Sequence, residues 1–142
     1  MPTTTKLYQL SEYKVLDYFM THVDLEIDLV HQPECSKAKL TIMPNPEISD
    51  LADDLCLDGE FMLLTSIKLN GRVLENNEYV LEEGTLIIKN VPKDQAFYIE
   101  TSSILSQSTD LFGLYKTDDI YLVKAETEGL RRVFFVLIVL II

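Results

Sequence analysis

The chain has 142 residues, enough for one domain that buries roughly 68–70% of its unfolded surface. Its 12 Lys and Arg stand against 23 Asp and Glu, for a formal net charge of -11. That balance argues against nucleic acid and against an anionic membrane surface, since both are held through Lys and Arg. It suits solubility and mildly favours cationic ligands such as a peptide N-terminus.

The opening MPTTTKLYQL contains no apolar run, so no secretory signal is expected and a cytoplasmic location follows as the expectation. Val23–Val30 alternates apolar and acidic residues, the pattern of a half-buried strand with a polar outer face. Ser36–Met43 alternates in the same way and can pair with it across the loop His31–Cys35. Pro44, Pro46 and Asp50 mark a break. Further strands are expected at Asp54–Leu57, Phe61–Leu69, Val73–Leu74, Glu78–Leu81, Thr85–Lys89 and Gln95–Thr101. They are punctuated by Asn70-Gly71, Asn76-Asn77, Glu83-Gly84 and Asn90–Asp94. Asn-Gly is the strongest short hairpin signal, because a type I′ turn needs positive φ at both central residues. Many short strands and no sustained helical period predict an all-β chain, an antiparallel β-sandwich. Cys35 and Cys56 have no spacing that suggests metal, redox or disulfide chemistry, and are expected as buried free thiols in a reducing compartment.

Gly113–Arg132 reads GLYKTDDIYLVKAETEGLRR. A Gly-Leu-Tyr-Lys turn leads into a short apolar strand. If that strand continues to Glu128, alternation puts Lys124, Glu126 and Glu128 on one face and Val123, Ala125 and Thr127 on the other. A solvated edge strand is the plain explanation of three charges in a row.

The wording of the segment carries more. It resembles, without a gap, the pattern Gly-Leu-Tyr-Lys-Ser-Gly-Gly-x-Phe-Cys-Thr-Gln-Cys-Glu-Ala-Glu-Gly-Phe-Arg from the N-terminal domain of aminopeptidase N, a zinc metalloaminopeptidase family. Asp17-Tyr18, Val23-Asp24-Leu25 and Ile27-Asp28-Leu29 are similar to that family's opening. Leu57-Asp58-Gly59-Glu60, Leu63–Ile67, Asn70-Gly71, Leu86-Ile87-Ile88 and Val91-Pro92 also have counterparts, so the likeness runs from about Tyr8 to Phe135. The resemblance implies a saddle-like sandwich domain over 1–135, lacking its last strands. It implies zinc in the full-length family but no cofactor in this chain, because the His-Glu-x-x-His motif that would hold the metal is missing. His22 and His31 belong to no such motif.

One substrate contact carries over by resemblance. The family's first Glu in Gln-Cys-Glu-Ala-Glu-Gly binds the substrate's free α-ammonium, and its counterpart is Glu126. The preceding Gln, which lines the pocket for the first side chain, is Lys124 here, and the Cys is Ala125. Lys124 could pair with Glu126 and compete with the ammonium, or select substrates with an acidic first residue. Arg131 and Arg132 match the motif's end and are expected to tie carboxylates and carbonyls together where the domain meets a catalytic part, with partners outside this chain. The implied function is an N-terminal fragment of a zinc exopeptidase, inactive alone. A non-enzymatic interaction module and a gene remnant without function are the alternatives.

Val133–Ile142, VFFVLIVLII, ends the chain. As a helix it would span about 15 Å, half a bilayer core, so a membrane anchor is not expected. Val133–Val136 suits a buried strand, and the rest reads as an association-prone apolar tail over 136–142. One set of codons for Val136–Ile142, read from its third base, gives Leu-Asp-Arg-Pro-Asp-Asn, which resembles the family's continuation. A frameshift is the expectation that follows. Loss of later strands would leave open edges and favour self-association.

Overall fold

The computed structural model describes residues 16–60, 62–105, 113–117, 120–124, 131 and 133–137. Ten strands run in chain order: β1 (Tyr18–Asp28), β2 (Cys35–Pro44), β3 (Leu55–Asp58), β4 (Met62–Leu69), β5 (Arg72–Val73), β6 (Tyr79–Glu82), β7 (Thr85–Ile88), β8 (Phe97–Leu105), β9 (Gly113–Thr117) and β10 (Ile120–Lys124). All pairings are antiparallel. They form a five-stranded sheet in the order β1-β2-β8-β4-β5, a three-stranded sheet β3-β7-β6 and the hairpin β9-β10. The all-β, antiparallel expectation therefore holds. Among the described residues no helix is long and apolar enough to cross a membrane.

Period-two patterning decides which face each strand buries. In β2, Ser36, Ala38, Leu40 and Ile42 are buried while Lys37, Lys39 and Met43 are exposed. In β8, Phe97, Ile99, Thr101, Ser103 and Leu105 turn inward. From the smaller sheet, Leu55, Leu57, Leu86 and Ile88 face the same interior, and the apolar residues among all these belong to one cluster. The two sheets thus share a core. Asn70 and Gly71, between β4 and β5, have φ of 50° and 84°, the positive pair that a type I′ turn demands.

Three expectations are corrected. Cys56 is exposed and Cys35 only half-buried. On β3 the inward positions go to Leu55 and Leu57, so alternation turns Cys56 outward. Partial burial still pushes its thiol pKa up, with Asp54 and Asp58 acting in the same direction. The thiolate, the reactive form, is therefore scarce at neutral pH. The Gly-Leu-Tyr-Lys stretch, expected as a turn, is strand β9. β1 also begins at Tyr18 rather than Val23, because a register shift between Met20 and His22 breaks the alternation that the sequence displays.

The C-terminal stretch closes the interior. Val133, Phe134, Phe135 and Val136 are each at most 4% exposed, and Val136 forms a bridge with Asp58. Asp58 N–H donates to the Val136 carbonyl at 2.8 Å, and Val136 N–H returns to the Asp58 carbonyl at 3.0 Å. Gly59 sits beside this bridge. A Cβ there would collide with Cδ1 and Cε1 of Phe135 and stand 3.0 Å from Met62 Cε. The ring is buried and has nowhere to go.

Phe135→Ala should lower stability by about 3–5 kcal/mol. Gly59→Ala should also destabilise, but the pair together should cost less than the two effects added, read from urea midpoints in a double-mutant cycle. Strict additivity would mean that the ring and the glycine are not coupled.

A second check concerns the link between β5 and the turn before β6. Arg72 grips Glu78 with two nitrogens, at 2.8 and 3.0 Å, and the Glu75 N–H donates to the same carboxylate at 2.7 Å. The Arg72 guanidinium, and then that amide, hold the Glu78 pKa down at about 2, against an ordinary 4.5. A depressed carboxylate contributes stability that is present above pH 4.5 and lost as pH falls toward 2. Carboxyl-resolved NMR titration should find Glu78 ionised at pH 3, and Arg72→Gln should return it toward the ordinary value.

Candidate substrate-anchoring segment

The stretch singled out by its wording begins as a hairpin. β10 lies against β9 with Tyr121 opposite Lys116, Val123 opposite Leu114, and Lys124 opposite Gly113. Alternation separates Tyr121 from Ile120 and Leu122. The last two are 62% and 42% exposed, whereas Tyr121 is half-buried against the core cluster. Its hydroxyl donates to Glu34 Oε1 at 2.7 Å.

Glu34 is a buried acid, 6% exposed, in the connection between β1 and β2. Its carboxylate also accepts from Gln32 Nε2 at 3.2 Å, and its carbonyl accepts from the Leu105 amide at 2.9 Å. A buried carboxylate must be satisfied by donors, and the Tyr121 hydroxyl is one of them. The bond to Glu34, then burial and the negative charge, push the Tyr121 pKa up from its ordinary 10.0. Tyr121 therefore ties the hairpin to the body of the domain.

Lys124, one of the two candidate site residues, ends β10 in register with Gly113. Glu126, the candidate amine anchor, lies outside the described residues, as do Glu128 and Arg132. What the structure does show is where the chain returns. The Arg131 carbonyl accepts from the Glu60 amide at 2.8 Å, and Arg131 Nη2 stands 3.2 Å from Glu60 Oε1. The bridge of Asp58 with Val136 follows five residues later. Lys124 and Arg131, the described residues that flank 125–130, are each tied to the domain through their backbones.

This also corrects one expectation. Arg131 does find a carboxylate inside this chain, in Glu60, so its partner is not confined to another domain. The Leu57-Asp58-Gly59-Glu60 stretch and the Gly113–Arg132 stretch, read from the sequence as separate points of likeness, meet here. Sequence reasoning missed Glu34, whose signal was faint. A lone acid in a His-Gln-Pro-Glu loop reads as solvated, and only the fold brings Tyr121 onto it.

The depression of ≈ 620 Å³ on the outer face of the large sheet is lined by residues of β1, β2, β4 and β8, not by the hairpin. Among the described residues, no group of three His, Cys, Asp or Glu could hold a metal ion. His22 on β1 and His31 in the following loop are both exposed, and His31 Nδ1 pairs with Asp28 Oδ2 at 2.8 Å.

Tyr121→Phe should speed amide exchange across β9 and β10 while leaving β2 and β8 protected. A raised tyrosine pKa contributes stability that is whole below pH 10 and lost as pH rises through the folded value. In the parent, hairpin exchange should therefore show an extra acceleration above pH 10 that the Phe variant lacks.

No family model matches the chain. Among curated proteins it is similar to aminopeptidase N of Haemophilus influenzae, 30% identical over 130 residues that make up 89% of this chain and 14% of that protein. Aminopeptidase N of Escherichia coli is 29% identical over 127 residues, with the same two coverages. Among solved structures, Legionella pneumophila aminopeptidase A in complex with aspartic acid superposes with a TM-score of 0.87 at 53% identity, over 91% of this chain and 15% of that one. An M1 zinc metallopeptidase from Deinococcus radiodurans shares the fold at a TM-score of 0.66 and 12% identity. The chain spans about one seventh of the length of the curated relatives it matches. By sequence and by fold, this chain is a homologue of aminopeptidase N with the architecture of the N-terminal domain of M1 aminopeptidases.

Proposed function

We propose that this chain is the part of a zinc aminopeptidase that grips the free amino end of a peptide, in an enzyme that prefers an acidic first residue. The observation that carries the reading is the 53% identity to Legionella aminopeptidase A, a protein solved with aspartic acid bound. That share of identity, over nearly all of this chain, is where Lys124 acquires meaning.

Glu126 is the anchor. An exopeptidase must distinguish a positive chain end from an interior amide, and a carboxylate does so with charge-assisted hydrogen bonds about twice as strong as neutral ones. Holding the ammonium fixes the first peptide bond relative to the catalytic centre, which is the positioning contribution to rate. Lys124 stands two residues before it and supplies a cation for the side-chain carboxylate of a first Asp or Glu. Specificity of this kind rests on leaving a charge unpaired when the wrong side chain arrives.

The hydrolytic centre itself belongs to residues this chain does not contain, because a His-Glu-x-x-His sequence is absent from it. In a whole enzyme, zinc held by a His-Glu-x-x-His motif outside this sequence would supply Lewis acidity at the scissile bond. The contribution of this chain is to hold the substrate's end. The fixed points at Lys124 and Arg131 support that role, since an anchor is useful only if its own backbone is held.

The test replaces the matching segment of Legionella aminopeptidase A with this chain and compares kcat/KM for aspartyl, glutamyl and alanyl substrates. Glu126→Gln should lower kcat/KM for all three by about 30- to 100-fold, the cost of one charged hydrogen bond. Lys124→Gln should cut the preference for aspartyl over alanyl by about tenfold. An unchanged preference in the Lys124→Gln chimera would remove the acidic-residue assignment and leave the amine anchor standing.

A further inference from the structure

β1 is an end strand of the large sheet, and among the described residues its outer edge pairs with nothing. From His22 to Asp28 it runs in unbroken register with β2, beyond the irregularity at Met20 and His22. Half of its backbone N–H and C=O groups over those seven residues point away from β2, ready to pair with another chain. The opposite edge of the sheet is only the two-residue β5.

The inner edge shows what side-chain pattern β1 accepts. Asp24 faces Lys39 and Glu26 faces Lys37, while Val23 faces Leu40 and Leu25 faces Ala38. A residue in a sheet has two cross-strand neighbours, one on each side, so the outer edge offers the same alternation again. Neither acid is drawn into a close ion pair with the lysine opposite it. Lys39 Nζ lies 4.6 Å above the Tyr98 ring, toward β8, and Asp24 and Glu26 form no salt bridge among the described residues. On the other face of the strand, Val23 and Leu25 are 37% and 40% exposed although Leu40 beside them is fully buried.

We infer that the β1 edge binds an extended basic peptide, with Lys or Arg at alternate positions and small or β-branched apolar residues between them, added as a sixth strand. Backbone pairing gives the affinity, and the two faces give the selection. Lysines fall beside Asp24 and Glu26, and apolar side chains cover Val23 and Leu25. A second copy of this chain does not fit the same place. Antiparallel pairing of two β1 edges would set Asp24 and Glu26 against their own kind, which is destabilising. The acids thus close the edge to copies of itself while opening it to a basic strand. No residue assigned to substrate takes part.

The experiment titrates the isotopically labelled chain with the nonapeptide Thr-Lys-Val-Lys-Val-Lys-Val-Lys-Thr. Expected are slowed amide exchange at His22–Asp28 and a Kd that weakens about tenfold between low and moderate salt. Asp24→Asn with Glu26→Gln, nearly isosteric and exposed, should weaken binding about tenfold. Neutralising Glu82 and Glu83 instead, the same change of charge elsewhere, should leave it within about twofold. A peptide of the same composition with its lysines grouped should bind more weakly. Absence of binding, equal binding of the grouped peptide, or binding without protection at His22–Asp28 would each overturn the inference. So would protection of β1 that arises from dimerisation of the chain alone.

Discussion

Gly59 carries no side chain because the ring of Phe135 occupies the place where one would begin. That single exclusion shows how the domain is assembled. Two sheets of unequal size supply Leu40, Ile42, Phe97 and Ile99 from one side and Leu55, Leu57, Leu86 and Ile88 from the other. The gap between them is filled by Val133–Val136, late in the chain. Burial of large apolar side chains is the dominant favourable term in folding, so these residues are structural whatever the chain does for a ligand.

Around that seam the polar groups are placed with little slack. Asp58 and Glu60, on either side of Gly59, give their backbones to Val136 and Arg131, and Glu60 adds an ion pair with Arg131. Across the domain, the buried Glu34 holds the hairpin through Tyr121. Lys124 and Arg131, the described residues that flank 125–130, are thus each tied into the domain by backbone pairing. This is the general arrangement in which function sits on connections and stability sits beneath them.

Much of this was legible in the residues, and the exceptions have physical causes. SKAKLTIM alternates cleanly, and its burial follows the alternation. Asn70-Gly71 specifies its own turn through backbone sterics. The start of β1 was hidden because a bulge at Thr21 shifts the period, and a period of two has no memory across an inserted residue. Ser36 and Ser103 are buried although nothing in their chemistry asks for it, since their places are set by the strands on either side. Cys56 was misplaced for the converse reason: an apolar preference yields to the face that the strand assigns it. Of the candidate site, the wording of the motif was visible, and so was the oddity of Lys124. The contacts of Tyr121 with Glu34 and of Arg131 with Glu60 were not, because contacts between distant stretches leave no periodic trace.

The bridge between Asp58 and Val136 links places far apart along the chain. During synthesis, β1 to β8 emerge before the residues that seal their shared interior. The nascent polypeptide must therefore wait with Leu57 and Leu86 incompletely covered until Val133–Val136 leave the ribosome. Completion of this core thus waits on residues that follow all ten strands, and over that interval its greasy seam is the part a chaperone would have to shield.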